Sequence, residues 1–260
     1  MQKEEIKFAD STVFEGMTSI RAIIKARDSE FNDRKIEKIL YDEERIPKIA
    51  KEIGYLRAIS QNLGFEVVKS SKDELDSITV GTSHGGIIAI TGKRTLPCLD
   101  RSFIKENGFY AMIDGIEDPY NFGYSLRSLY AMGCDGIILP QRNWMSAAGV
   151  VCRSSAGASE LLPVYTADPI AAAEIFIEAN YKVICADERT DNILGECELK
   201  LPLLLIVGGE KRGISRALLD MADILVKIAY GRDFKASLSA ASATTMFAYE
   251  IARQNPKAIN

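Results

Sequence analysis

Between residues 109 and 229 the chain carries six strand-length apolar runs: FYAMID (109–114), GIILP (136–140), LLPVY (161–165), YKVICAD (181–187), LLLIV (203–207) and ILVKIA (224–229). A strand with one face in water alternates apolar and polar residues, whereas a run that is apolar throughout has to be covered on both faces. Runs of that kind, separated by helical or loop segments, point to a parallel sheet with helices packed on either side. The segment SLSAASATTMFAYEIARQ (237–254) closes the series as a helix, with Ala240, Ala243, Thr244, Phe247 and Ile251 on one stripe.

The first hundred residues form an α/β pattern of their own. SIRAIIKAR (19–27) has helical spacing, KIEKILYD (35–42) is a strand, and IPKIAKEIGYLRAISQNLG (46–64) is a long amphipathic helix closed by Gly64. FEVVKS (65–70) is a strand, SKDELDSI (71–78) a short capped helix and GGIIAIT (85–91) a last strand, after which GKRTLPCLDRS (92–102) reads as a linker. A chain of 260 residues is long enough for two cores. The expected division is a small N-terminal α/β domain at 1–95, a linker at 96–106 and a parallel-sheet domain at 107–260.

With 47% apolar and 26% charged residues, the composition is that of a globular protein, and no apolar stretch approaches the roughly 20 residues that span a bilayer. MQKEEIKFADS is polar throughout and does not resemble a secretory leader, so a cytoplasmic location is expected. The five cysteines are scattered and never spaced CxxC, which predicts reduced structural thiols, no disulfide framework and no metal site. A net charge of −4 argues against coating nucleic acid by bulk charge but leaves room for a local basic site. His84, the sole histidine, falls in the first domain, which argues against a histidine-based hydrolase triad and for a structural or RNA-contacting role. Trp144, also single, is a packing or interface residue.

In an open parallel sheet, ligands collect where loops leave the carboxyl ends of the strands. Three loops there combine glycine with charge and small hydroxyls: DGIEDPYNFGYSLRS (114–128), VGGEKRGIS (207–215) and AYGRDFKASLS (229–239). In the first, Gly123 at a helix start permits close backbone approach, Asn121 is a helix cap or a ligand residue, and Arg127 offers a fork of donors suited to phosphate. In the second, Glu210 between glycines is a hydrogen-bond acceptor or an exposed turn residue; the loop is neither a Walker A motif nor GxGxxG, which disfavours a dinucleotide-dependent enzyme. In the third, Arg232 and Lys235 precede Ser237, a plausible N-cap.

Taken together and in this order, the three loops resemble the SpoU or TrmH family of RNA ribose 2'-O-methyltransferases in the SPOUT class. DPYNFGYSLRS is similar to the first family motif, IVGGEKRGIS to the second and VKIAYGRDFKASLSAASA to the third, over residues of about 109 to 254. FEGMTSIRAII, the helix at 46–64 and SHGGIIA resemble the small RNA-binding N-terminal module of the ribosomal RNA members.

The resemblance implies an α/β fold with a trefoil knot in the C-terminal domain, S-adenosylmethionine as cofactor, RNA as partner, and a homodimer whose protomers complete each other's sites. It implies no metal. Carried over, Asn121, Arg127, Glu210, Ser237 and Ser239 fall at catalytic or substrate positions, and Gly208, Gly209, Ile228, Ser237 and Leu238 at positions that hold the methyl donor. Arg21, Lys25 and Arg27 are candidate RNA-facing groups of the first domain. The chain departs from the family in two places, reading Ser237-Leu238-Ser239 for the usual Ser-Leu-Asn and Ile228-Ala229-Tyr230 for the usual Ile-Pro-Met. Serine lacks the amide donors of asparagine, which predicts slower turnover or an altered pocket. A catalytically degenerate RNA-binding or ribosome-assembly protein on the same fold is the alternative.

Overall fold

The structure, a computed structural model, describes residues 12–80, 84–140, 147–209 and 213–256. Trp144 and Glu210 lie outside the described residues. The chain divides into two compact units, one of residues 1–95 with 143–161 and one of residues 96–142 with 162–260.

The first unit runs β1 (Val13–Glu15), α1 (Gly16–Ala26), β2 (Ile36–Asp42), α2 (Ile46–Leu63), β3 (Glu66–Ser70), α3 (Lys72–Ile78) and β4 (Ile87–Thr91). Its sheet has the order β1-β4-β2-β3, with β2 and β3 parallel and the other pairs antiparallel. The terminators act as the sequence predicts: Gly64 ends α2 in the left-handed region at φ 73°, and Ser71 caps α3 by accepting from the Glu74 N–H at 3.2 Å. Helix α1 starts at Gly16, three residues before the expected SIRAIIKAR. Strand β1, only three residues long, was too short to show a period and was not expected.

Two further helices, which follow α4 (Pro119–Ala131) in the chain, are α5 (Ala148–Ser154) and α6 (Ala158–Leu161), and they belong to the first unit. The boundary expected at 107 assigned them to the C-terminal domain. Glu160 is buried with Arg34, whose Nε donates to its Oε2 at 3.0 Å, and the Asn32 amide donates to the same oxygen at 3.0 Å. Arg153 pairs with Glu15 at 2.5 Å. Cys152 joins the core of Phe14, Ile20, Ile39 and Leu56, and a Cβ on Gly157 would stand 2.5 Å from that of Ala22. Burial pushes the Cys152 thiol up to about 12, as suits a reduced structural cysteine. His84 is also structural: its Nδ1 accepts from the Gly86 N–H at 3.1 Å, which leaves Nε2 to donate to Asp76 at 3.0 Å.

The second unit contains β5 (Phe109–Asp114), α4, β6 (Gly136–Leu139), β7 (Val164–Thr166), α7 (Pro169–Glu178), β8 (Lys182–Ala186), β9 (Leu203–Gly208), α8 (Arg216–Asp220), β10 (Ile224–Val226) and α9 (Ala240–Gln254). Its six strands are all parallel, in the order β10-β8-β9-β5-β6-β7, as the apolar runs predict. Two runs were read too long by more than a residue at one end. LLPVY yields only Val164–Thr166, because Leu161 ends a helix and Pro163 has no N–H to donate to the sheet, and ILVKIA leaves the sheet after Val226. Strand β9 lies between β5 and β8, so the loops after β5 and β9 leave the same edge side by side. Helix α9 packs on α4 and β9.

Candidate active site

The carboxyl ends of β8, β9 and β10 surround a cleft of about 780 Å³. Ala186 to Arg189 form one wall, Gly208, Gly209, Gly213 and Ile214 another, and Lys227 to Tyr230 with Phe234, Ser237 and Leu238 a third. Ala240, Ala243 and Phe247 of α9 complete the lining. Of the sequence-predicted residues, Gly208, Gly209, Ile228, Ser237 and Leu238 are brought together here.

The glycines serve close backbone approach. A Cβ on Gly208 would lie 2.6 Å from the Ile214 nitrogen, and one on Gly209 would collide with the Gly115 carbonyl in the loop after β5. Gly209 accepts from the Gly213 N–H at 3.1 Å, which narrows the neck of the second loop. Two loops that are far apart in sequence thus touch backbone to backbone, which no residue with a side chain permits.

Asn121 and Arg127 do not line this cleft. The first loop becomes helix earlier than its glycine indicated: Asp118 is the N-cap, accepting from the Tyr120 and Asn121 N–H groups at 3.2 Å each, and Pro119 occupies the first turn. Asn121 is therefore not the cap, and Gly123 is buried within α4 instead of starting it. Arg127 is exposed on α4, and among the described residues its side chain makes no ion pair.

The third loop needs a similar correction. Ser239, not Ser237, caps α9, accepting from the Ser242 N–H at 3.2 Å. The serine that replaces the usual asparagine is thus engaged by its own helix, and both residue types are strong N-caps. The Tyr230 hydroxyl accepts from the Leu238 N–H at 3.1 Å, which folds the loop back on itself.

Sequence reasoning missed the wall after β8. Asp187 holds Arg189 by two charged contacts, Nε to Oδ1 at 2.9 Å and NH2 to Oδ2 at 2.7 Å, and those hydrogen bonds keep its carboxyl below the usual value. The signal was available, because YKVICAD ends in a carboxylate at the carboxyl end of a parallel strand. An apolar base at Val207, Val226 and Phe247, a paired Asp187–Arg189 at the lip and backbone edges on two sides give the cleft the mixed lining of a nucleoside site. Among the described residues no group of histidine, cysteine and acidic side chains is placed to hold a metal ion.

A cleft of this kind, on the carboxyl edge of a parallel sheet and walled by the loops after three strands, is where open α/β enzymes hold nucleotide-like ligands. Residues 108–249 match the model of the SpoU rRNA Methylase family. Among curated relatives, the 23S rRNA (guanosine-2'-O-)-methyltransferase RlmB of Shewanella oneidensis is 26% identical over 259 residues, covering 98% of this chain and 99% of that one. The SpoU methyltransferase AviRb of Streptomyces viridochromogenes, solved in complex with AdoMet, superimposes with a TM-score of 0.79 at 22% identity, covering 98% of this chain and 97% of that one. An rRNA methyltransferase of Sinorhizobium meliloti gives 0.74 at 20% identity, with 97% and 93% covered. The chain belongs to the SpoU rRNA methylase family and is an RNA methyltransferase.

Proposed function

We propose that the protein transfers a methyl group from S-adenosylmethionine to a ribose 2'-hydroxyl of ribosomal RNA. The observation that carries this reading is the cleft, where Gly208, Ile228 and Leu238, which the family resemblance puts at donor-holding positions, line one cavity with Asp187. When bound, S-adenosylmethionine supplies an electrophilic methyl carbon activated by its own sulfonium charge. The ribose oxygen forms the new O–C bond as the C–S bond breaks, and the hydroxyl proton passes to a phosphate oxygen or water.

In this reading Arg127 clamps a phosphate and stabilises the negative charge that develops on the ribose oxygen. A guanidinium holds its proton at neutral pH, so it is a poor base but a constant cation. Asn121 positions the ribose, and Glu210 orients Asn121 or the donor. Ser237 and Leu238 hold the donor from the third loop, while Ser239 fixes the start of α9 behind them. Arg127 reaches a site by pairing of two copies. Tyr124 on α4 and Met246 and Tyr249 on α9 are large, exposed and on helices packed together, which supports a homodimer through this face. The threaded C-terminal knot that the family resemblance implies belongs to the same reading. Among the described residues no helix is long and apolar enough to cross a membrane, which is consistent with work on ribosomal RNA in the cytoplasm.

The test is to map ribose methylation across ribosomal RNA from cells with and without the protein. One site should lose its 2'-O-methyl group without the protein and regain it when purified protein and S-adenosylmethionine are added. An unchanged map would refute the ribosomal reading, and methylation of transfer RNA alone would redirect it.

A further inference from the structure

Loop residues 229–237 are exposed along their whole length, yet they carry two large aromatics, Tyr230 at 42% and Phe234 at 57% exposure. Both line the mouth of the cleft, with ring centroids 6.1 Å apart and planes inclined by 57°. Rings at that angle cannot sandwich one flat group face to face, so each presents a face of its own. Tyr230 is pinned at the base of the loop by the Leu238 N–H, whereas Phe234 stands out from it. Cations alternate with the rings: among the described residues Arg232 has no ion-pair partner, and Lys235 meets only Asp233, at 3.9 Å between two exposed side chains. Such an exposed pair contributes almost nothing to stability.

We propose that Tyr230, Arg232, Phe234 and Lys235 form a platform for single-stranded RNA at the cleft mouth, the rings stacking bases next to the target nucleotide and the cations holding the flanking phosphates. This rests on the reading of the chain as an RNA methyltransferase and adds to it the means of holding the substrate. Interleaved rings and cations match the chemistry of an unpaired strand, in which every base offers a π-face and every linkage a negative charge. The methyl donor is a poorer match for the same residues. It carries no phosphate for the two cations to hold, and its single adenine cannot occupy two rings that each present a separate face.

The experiment uses the full chain and a fluorescein-labelled single-stranded RNA decamer of mixed sequence, read by anisotropy without donor, with calorimetry of S-adenosylmethionine alongside. Phe234→Ala should weaken RNA binding by about 5- to 100-fold, Phe234→Trp should restore it, and donor affinity should change far less than RNA affinity in either. Arg232→Ala with Lys235→Ala should lower the slope of log affinity against log salt by about 0.7 per cation. Equal RNA affinity of Phe234→Ala and wild type overturns the platform and leaves the methyltransferase reading intact. Loss of donor binding with RNA binding preserved overturns it too, by assigning the rings to adenine. A wild-type chain that binds the donor but no RNA overturns both readings.

Discussion

The Tyr230 hydroxyl and the Leu238 N–H are joined at 3.1 Å across the third loop, so a backbone donor on the cleft wall is already committed to the chain itself. If Leu238 is to hold the methyl donor through that N–H, the bond to Tyr230 has to open first. Tyr230→Phe keeps the ring and removes the competing acceptor. It is expected to tighten S-adenosylmethionine binding by about 2- to 10-fold, the worth of one hydrogen bond, as read by calorimetry. Unchanged or weaker binding would show that Leu238 does not use this group.

The two serines of the third loop separate by stability. Ser239→Ala removes the cap of α9 and should cost about 1 kcal/mol, a fall of about 2–4 °C in Tm. Ser237→Ala should leave the melting temperature unchanged and act on donor affinity alone. A thermal melt of each variant decides between these assignments.

Glu160 is the partner of a fully buried guanidinium and also receives the Asn32 amide. Burial lowers the pKa of Arg94 nearby, with Glu160 and then Asp33 opposing the shift, so Glu160 serves two guanidiniums. Glu160→Ala should therefore destabilise the first unit by about 3–5 kcal/mol, measured by urea unfolding. A loss below 1 kcal/mol would mean that the cluster relaxes without it.

Tyr181 ties the second unit at the start of β5: its hydroxyl accepts from the Gly108 N–H at 2.9 Å and donates to the Lys105 carbonyl at 2.7 Å. Burial pushes its pKa up from 10.0 to about 12. A group protonated in the folded state and easier to ionise when unfolded contributes stability that is complete below pH 10. That contribution fades as pH rises from 10 to about 12. Urea unfolding between pH 9 and 12 should follow this course in wild type and show a weaker decline in Tyr181→Phe.

Arg127 is expected to act through its planar fork. Arg127→Lys keeps the charge but loses the bidentate geometry, and turnover with saturating RNA should fall at least tenfold. Near wild-type turnover would argue against a phosphate clamp.

The sheet was legible because its strands are apolar on both faces, and two helix ends because Gly64 and Ser71 carry their own stop and start chemistry. The three loops were legible as loops. What each residue does in them was not, because it depends on contacts distant in sequence. Gly209 matters through Gly115, and Ser239 rather than Ser237 begins the last helix because of where the loop closes on Tyr230. Asp187 obeyed the rule that picked out the other loops but lacked a glycine to draw attention. Residues 148–161 showed no sign of their allegiance, since the groups they meet, Glu15, Ala22 and Arg34, lie more than a hundred positions away.

That allegiance makes the first 95 residues a poor transplant. Cut out at the linker, they would lose the carboxylate that neutralises Arg34, the arginine that meets Glu15 and the glycine turn seated on Ala22, and would expose apolar surface in their place. A fusion or deletion at the amino end alone would part the first unit from a piece of its own core, because that piece is encoded inside the methylase sequence.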